Sequence, residues 1–140
     1  MERKDFLKLT GSFCILASTG FVAGTLSACN QLPIYKTAIN DNKITVPLLL
    51  FAQTSLQIVR SKQLDYDIAL RKEQDGAYTA ILLRCTHADN ELVSTGKGFI
   101  CNLHGSRFNA DGNVTKGPAS KSLKKYLTEI TENNILIHIK

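Results

Sequence analysis

From residue 34 onward, apolar and polar positions alternate in short blocks separated by turn residues, and no block sustains a helical period. The blocks at 34–39 and 43–46 flank Asn40-Asp41-Asn42, a favourable turn sequence. Pro47 cannot donate to a ladder and predicts a sheet edge or a break. Residues 48–52 are apolar throughout, and periodicity leaves their state open. Residues 56–59 read as a strand. The blocks at 67–72 and 77–83 flank Gln74-Asp75-Gly76, a hairpin signal. A second hairpin is predicted where 124–131 and 135–139 flank Glu132-Asn133-Asn134. Short strands with frequent turns predict an all-β sandwich or barrel-like domain over 34–140.

One stretch breaks this pattern. Residues 85–118 are short of core apolar side chains and carry Gly96, Gly98, Gly105, Gly112 and Gly117. Such a piece needs something besides a hydrophobic core to order it. Metal ligation would do so, because the free energy of binding a metal is coupled to folding.

The N-terminal segment has a different character. Residues 1–8 make a basic start, and residues 9–28 are mostly apolar and small, with Gly11, Gly20 and Gly24 interspersed. The run is long enough to cross a bilayer, but its Gly, Ser and Thr content argues against a spanning helix. Leu26-Ser27-Ala28-Cys29 resembles the lipobox of bacterial lipoproteins. In that family the chain is cleaved before the Cys, which then carries acyl chains. Arg3-Lys4-Asp5-Phe6-Leu7-Lys8 is similar to a twin-arginine export motif, with Lys4 where the second Arg is expected. That route exports folded proteins, so a cofactor can be inserted before export. A plain secretory signal and a retained anchor helix are the alternatives. The expected organisation is therefore a signal or anchor helix at 1–28, a tether at 29–33, and one globular domain at 34–140. The protein is expected to be exported and held at the periplasmic face of a membrane through lipid on Cys29. Each buried CH₂ of an acyl chain contributes about 0.8 kcal/mol, so several chains anchor stably.

Composition narrows the function. The chain has 140 residues and a net charge of +5, of which +1 falls in residues 1–28. That is mild, and a nucleic-acid partner is not expected, because such proteins show a denser basic stripe. With no Trp, six Phe and four Tyr, the chain is also poorly equipped to stack bases. Of four cysteines, Cys14 and Cys29 lie in the N-terminal segment, leaving Cys85 and Cys101 for the globular part. If both bind metal, that part has no disulfide, although exported domains often rely on them.

Those two cysteines each come with a histidine, in Cys85-Thr86-His87 and in Cys101-Asn102-Leu103-His104-Gly105-Ser106. Two thiolates and two imidazoles can bind a 2Fe–2S cluster asymmetrically, both sulfurs on one iron and both nitrogens on the other. Replacing two thiolates by neutral imidazoles removes negative charge and raises the reduction potential. A coordinated imidazole keeps one ring nitrogen free, which allows electron transfer to be coupled to proton transfer. Gly105 would let the backbone approach the cluster closely. Three other readings compete. A Cys₂His₂ zinc site commonly pairs Cys with Cys and His with His, whereas each loop here holds one of each. A Cys–His nucleophile would leave the second pair unexplained. A degenerate domain without metal should have lost ligands, and all four are present.

The flanking residues resemble the Rieske iron–sulfur family. Cys101-Asn102-Leu103-His104-Gly105-Ser106-Arg107-Phe108-Asn109-Ala110-Asp111-Gly112 is similar to the second cluster loop of that family and the hairpin after it. Gly117-Pro118 matches the loop that covers the cluster from a third side, and Tyr126 falls in a strand segment such domains usually have. The resemblance runs over 34–140, with its specific motifs in 85–118. It implies a Rieske-like antiparallel β-sandwich with a small cluster-binding subdomain at about 85–118, and one 2Fe–2S cluster. It also implies Cys85, His87, Cys101 and His104 as metal ligands, with Ser106 hydrogen-bonding a bridging sulfide.

Two departures carry meaning. High-potential members, which serve quinol-oxidising cytochrome complexes, join the cluster loops by a disulfide whose cysteines would fall at Asn90 and Leu103. They also carry a Tyr where this chain has Phe108, which has no hydroxyl to donate to a ligand sulfur. Hydrogen bonds to sulfur stabilise the reduced cluster, so losing one lowers the potential. The resemblance thus implies a value in the lower part of the range of about −150 to +300 mV for such centres.

The expected role is a membrane-tethered electron carrier shuttling one electron between a protein donor and acceptor, rather than a stand-alone enzyme. The alternative is the iron–sulfur subunit of a quinol–cytochrome c reductase-type or other membrane oxidoreductase, with a cytochrome or quinone-linked complex as partner and His104 as the quinol contact. A third reading is a redox sensor. Rieske oxygenase subunits match less well, because they also carry a mononuclear iron domain for which this chain has no room. His138 is expected on the polar face of a strand. Lys116, Lys121, Lys124 and Lys125 form either a solvated face or a docking patch for an acidic redox partner.

Overall fold

The computed structural model describes residues 32–140, so Cys29 and the signal segment expected at 1–28 lie outside the described residues. Eleven strands follow one another: β1 Ile34–Lys36, β2 Lys43–Pro47, β3 Leu56–Arg60, β4 Ile68–Lys72, β5 Tyr78–Leu82, β6 Leu92–Ser94, β7 Gly98–Cys101, β8 Arg107–Asn109, β9 Val114–Lys116, β10 Lys125–Ile130 and β11 Asn134–His138. The apolar run after Pro47 forms a short 3₁₀ turn, Leu48–Phe51, the one helical element among the described residues. No helix among these residues is long and apolar enough to cross a membrane.

The strands make two sheets, one of seven strands in the order β1-β3-β4-β5-β10-β11-β2 and one of four in the order β6-β7-β8-β9. The two hairpins expected from turn residues are present as β4–β5 and β10–β11. Gly76, with φ +85°, supplies the left-handed residue of the first turn. The Ala77 N–H closes that turn on the Asp75 carboxylate at 2.9 Å. Pro47 ends β2 at the sheet edge, where its missing donor costs nothing. The Asn40-Asp41-Asn42 turn also forms, with Asp41 and Asn42 at positive φ. The residues before it do not pair with β2. Only 34–36 are strand, and they run parallel to β3, so the sheet is not wholly antiparallel. That pairing joins segments distant in sequence and leaves no local signal.

Strands β3, β4 and β5 are buried on both faces, which decides where the site lies. Val59, Ile68, Leu70, Ala80 and Leu82 face a main core with Ile44, Val46, Phe51, Tyr78, Ile135 and Ile137. Their neighbours Ile58, Ala69 and Ile81 point the other way, since side chains alternate along a strand. They meet a second apolar cluster containing Leu83, Leu92, Phe99, Phe108, Ala119 and Leu123. The segment 85–118, short of apolar residues as expected, therefore shares an apolar core with the larger sheet. Leu92, Phe99 and Phe108 point inward, and the face of β3–β5 supplies the rest. Arg71 of β4 also reaches across to Asp111 at 2.7 Å and to Glu73 at 2.8 Å.

Candidate metal centre

The four-stranded sheet exists to present two loops. Residues 84–91 form the first, closed by the Arg84–Glu91 bridge and by the Cys85 N–H donating to the Asn90 carbonyl at 2.8 Å. Arg84 holds the Asp89 carboxylate from within this loop, with contacts of 2.8 and 2.6 Å. The Tyr66 hydroxyl donates to the Asp89 carbonyl at 2.6 Å and ties the loop to the connection between β3 and β4.

The second loop follows β7. The Cys101 N–H donates to the Ser106 carbonyl, and the Gly105 N–H to the Cys101 carbonyl, both at 2.9 Å. This tight return needs φ +78° at Gly105, where a Cβ would meet no protein atom. The glycine thus answers a left-handed backbone conformation at this return.

A third segment laces the two together. It begins at the cis Gly117–Pro118 bond. The Ala119 N–H donates to the buried Ser106 Oγ at 3.0 Å, and Thr86 Oγ1 donates to the Lys121 carbonyl at 2.6 Å. Ser106 Oγ accepts that bond and keeps its own proton free to donate.

The structure sets Cys85 beside Cys101 and His87 beside His104, and the two pairs differ in burial. Cys85 and Cys101 are fully buried in the second apolar cluster, and neither is in a disulfide. His87 and His104 are exposed, their rings edge to face with centroids 4.9 Å apart and planes at 86°. Burial by itself raises the Cys101 thiol pKa. The N–H groups of Leu103 and His104, the Cys85 thiol and the Asn90 amide outweigh that effect and hold it below the ordinary value. Donors gathered on a buried sulfur are what a metal-bound thiolate requires. Among the described residues no three His, Cys, Asp or Glu side chains group as they would around a single ion. A diiron centre needs two pairs of ligands, and two pairs are what the loops offer.

Several residues fall away from this arrangement or join it unexpectedly. His138 lies on β11, half-buried, 3.2 Å from Glu129, on the polar side of the strand as expected. Tyr126 is on β10 against the main core. Lys116, Lys121, Lys124 and Lys125 are all exposed, and Lys124 Nζ lies over the Tyr126 ring and donates to the Lys140 carbonyl at 2.7 Å. A surface cavity of about 440 Å³ lined by Lys36, Thr37, Ala38, Arg60, Lys62 and Gln63 carries neither thiol nor imidazole. In the sequence, Asn90 stands only where a disulfide cysteine is absent. In the structure its amide Nδ2 donates to Cys101 Sγ at 3.7 Å.

Comparison with known proteins agrees with this geometry. The sequence model of the Rieske [2Fe-2S] domain matches residues 50–127. The cyanobacterial plasma membrane Rieske protein PetC3 from Synechocystis PCC 6803 is 26% identical, over 67% of this chain and 97% of the cyanobacterial one, with a TM-score of 0.57. A chain of the complex of reduced oxygenase and oxidized ferredoxin in carbazole 1,9a-dioxygenase shares the fold at 20% identity and a TM-score of 0.53, over 71% of this chain and 94% of that one. The ferredoxin of carbazole 1,9a-dioxygenase from Nocardioides aromaticivorans IC177 does so at 19% identity and a TM-score of 0.51, over 71% and 99%. No curated protein matches the sequence.

Proposed function

Because the chain belongs to the Rieske [2Fe-2S] domain family, and so carries one 2Fe–2S cluster and serves in iron–sulfur electron transfer, we propose that it is a membrane-tethered one-electron carrier. In this reading Cys85 and Cys101 hold one iron, and His87 and His104 the other. When bound, the cluster supplies a one-electron couple at a potential that the ligand set and its hydrogen bonds determine.

The observation that carries this reading is the division of the four side chains into two buried thiols and two exposed imidazoles. The buried pair keeps water from the sulfurs. The exposed pair puts the histidine end of the centre within contact distance of a partner. Leu103, 56% exposed beside His104, gives that end an apolar contact. Ser106 braces the third segment and offers its hydroxyl proton to sulfide. The exposed lysines after the loops would mainly speed encounter with an acidic partner protein.

The lipobox-like run ending at Cys29 supports tethering at the periplasmic face of a membrane. The likeness to a plasma membrane Rieske protein supports a membrane location. Asn90 and Phe108, where high-potential members have Cys and Tyr, favour a carrier over a quinol-oxidising subunit. The test is electron paramagnetic resonance of the reduced protein and its His104→Ala variant. The Rieske signal is expected in the first and absent from the second. A signal that persists in the variant refutes His104 as a ligand.

A further inference from the structure

We propose that Asn90 tunes the redox centre, its side-chain amide acting as a hydrogen-bond donor to the Cys101 sulfur. The inference rests on the reading of Cys101 as a cluster ligand. Asn90 grips both ligand-bearing loops at once. Its carbonyl accepts the Cys85 N–H at 2.8 Å, and its Nδ2 lies 3.7 Å from Cys101 Sγ. The other amide hydrogen goes to the Glu91 carbonyl at 3.2 Å. That bond fixes which end of the amide faces the sulfur, since a carbonyl accepts only from the NH₂ group.

The consequence is electrostatic. Reduction adds one electron, delivered by a donor protein, and the ligand sulfurs become more negative. The N–H···S bond strengthens in that state, while the proton stays on nitrogen and no covalent bond changes. Asn90 therefore stabilises the reduced form and raises the potential. It partly offsets the hydroxyl that Phe108 lacks. It also links the two loops without a covalent bond, at a position where high-potential members use a disulfide cysteine.

The test compares the full chain with Asn90→Ala, Asn90→Asp and Asn90→Gln by iron content, visible spectrum and potentiometric titration. Asn90→Ala and Asn90→Asp are expected to retain iron and titrate lower. The reduced-to-oxidised ratio at the wild-type midpoint should fall several-fold, a tenfold fall being about 59 mV for one electron. The Asp variant should shift further than Ala, because it keeps the shape and replaces a donor by a negative charge. The Gln variant, which retains an amide, should recover part of the loss. Iron-loaded Ala and Asp variants titrating at the wild-type midpoint would overturn the proposal. So would loss of iron from both, which would make Asn90 a structural brace only. Failure of the wild type itself to show a cluster would instead overturn the ligand reading beneath it.

Discussion

The rings of His87 and His104 meet edge to face, with centroids 4.9 Å apart, although they come from different loops. Nothing covalent brings them together. The pairing depends on the Thr86–Lys121 bond, on the β7–β8 hairpin and on the Ser106–Ala119 bond, and the last two each make a separate expectation.

Gly98 opens β7 opposite Asn109, and a Cβ there would collide with the Phe108 carbonyl oxygen. The obstacle is backbone, so it cannot swing aside. Gly98→Ala should destabilise the protein by about 1–3 kcal/mol. Thermal unfolding should register this as a drop of roughly 4 °C per kcal/mol for a domain of this size. An unchanged transition would mean that the two strands can separate without cost.

Ser106 is fully buried, and its Oγ is the acceptor for the Ala119 N–H. Ser106→Ala leaves that N–H without its partner, at a cost of about 1–3 kcal/mol. It also removes the hydroxyl proton available to sulfide. The variant should therefore unfold earlier and, where it retains iron, titrate at a lower potential than the wild type. Loss of stability with no change in potential would restrict Ser106 to bracing the third segment.

The hairpins β4–β5 and β10–β11 were legible because their turns announce themselves within a few residues, as Asp75-Gly76 does through an Asx bond and a positive φ. The pairing of Ile34–Lys36 with β3 was not, because a parallel ladder between distant segments leaves no local trace. The motif residues Cys85, His87, Cys101 and His104 stand out by their spacing and family resemblance. What sequence could not give was their sorting by burial. Leu92, Phe99 and Phe108 are too thinly spread among glycines to announce a core, and they bury the thiols only by packing on the far face of β3–β5. Asn90 was read for the cysteine it is not, since a side-chain bond to Cys101 appears only once both loops are folded.

Phe108 is buried in the same cluster as both thiols. Phe108→Tyr would add a hydroxyl in that dry setting, where a ligand sulfur is the expected acceptor. The midpoint potential should rise above the wild-type value. An iron-loaded variant with an unchanged potential would show that the absent hydroxyl does not set the level.

Cys29→Ser removes the thiol expected to carry lipid. The full-length chain should incorporate labelled palmitate and fractionate with membranes, whereas the variant should do neither. Equal labelling of both forms would dismiss lipidation at Cys29.

The central claim is that two loops hold a diiron cluster by paired thiolates and imidazoles. Metal and acid-labile sulfide analysis of the anaerobically isolated full-length protein tests it most directly. The expected composition is that of one 2Fe–2S cluster, two irons and two sulfides per chain. Stoichiometric zinc, or protein isolated with no metal, would contradict it.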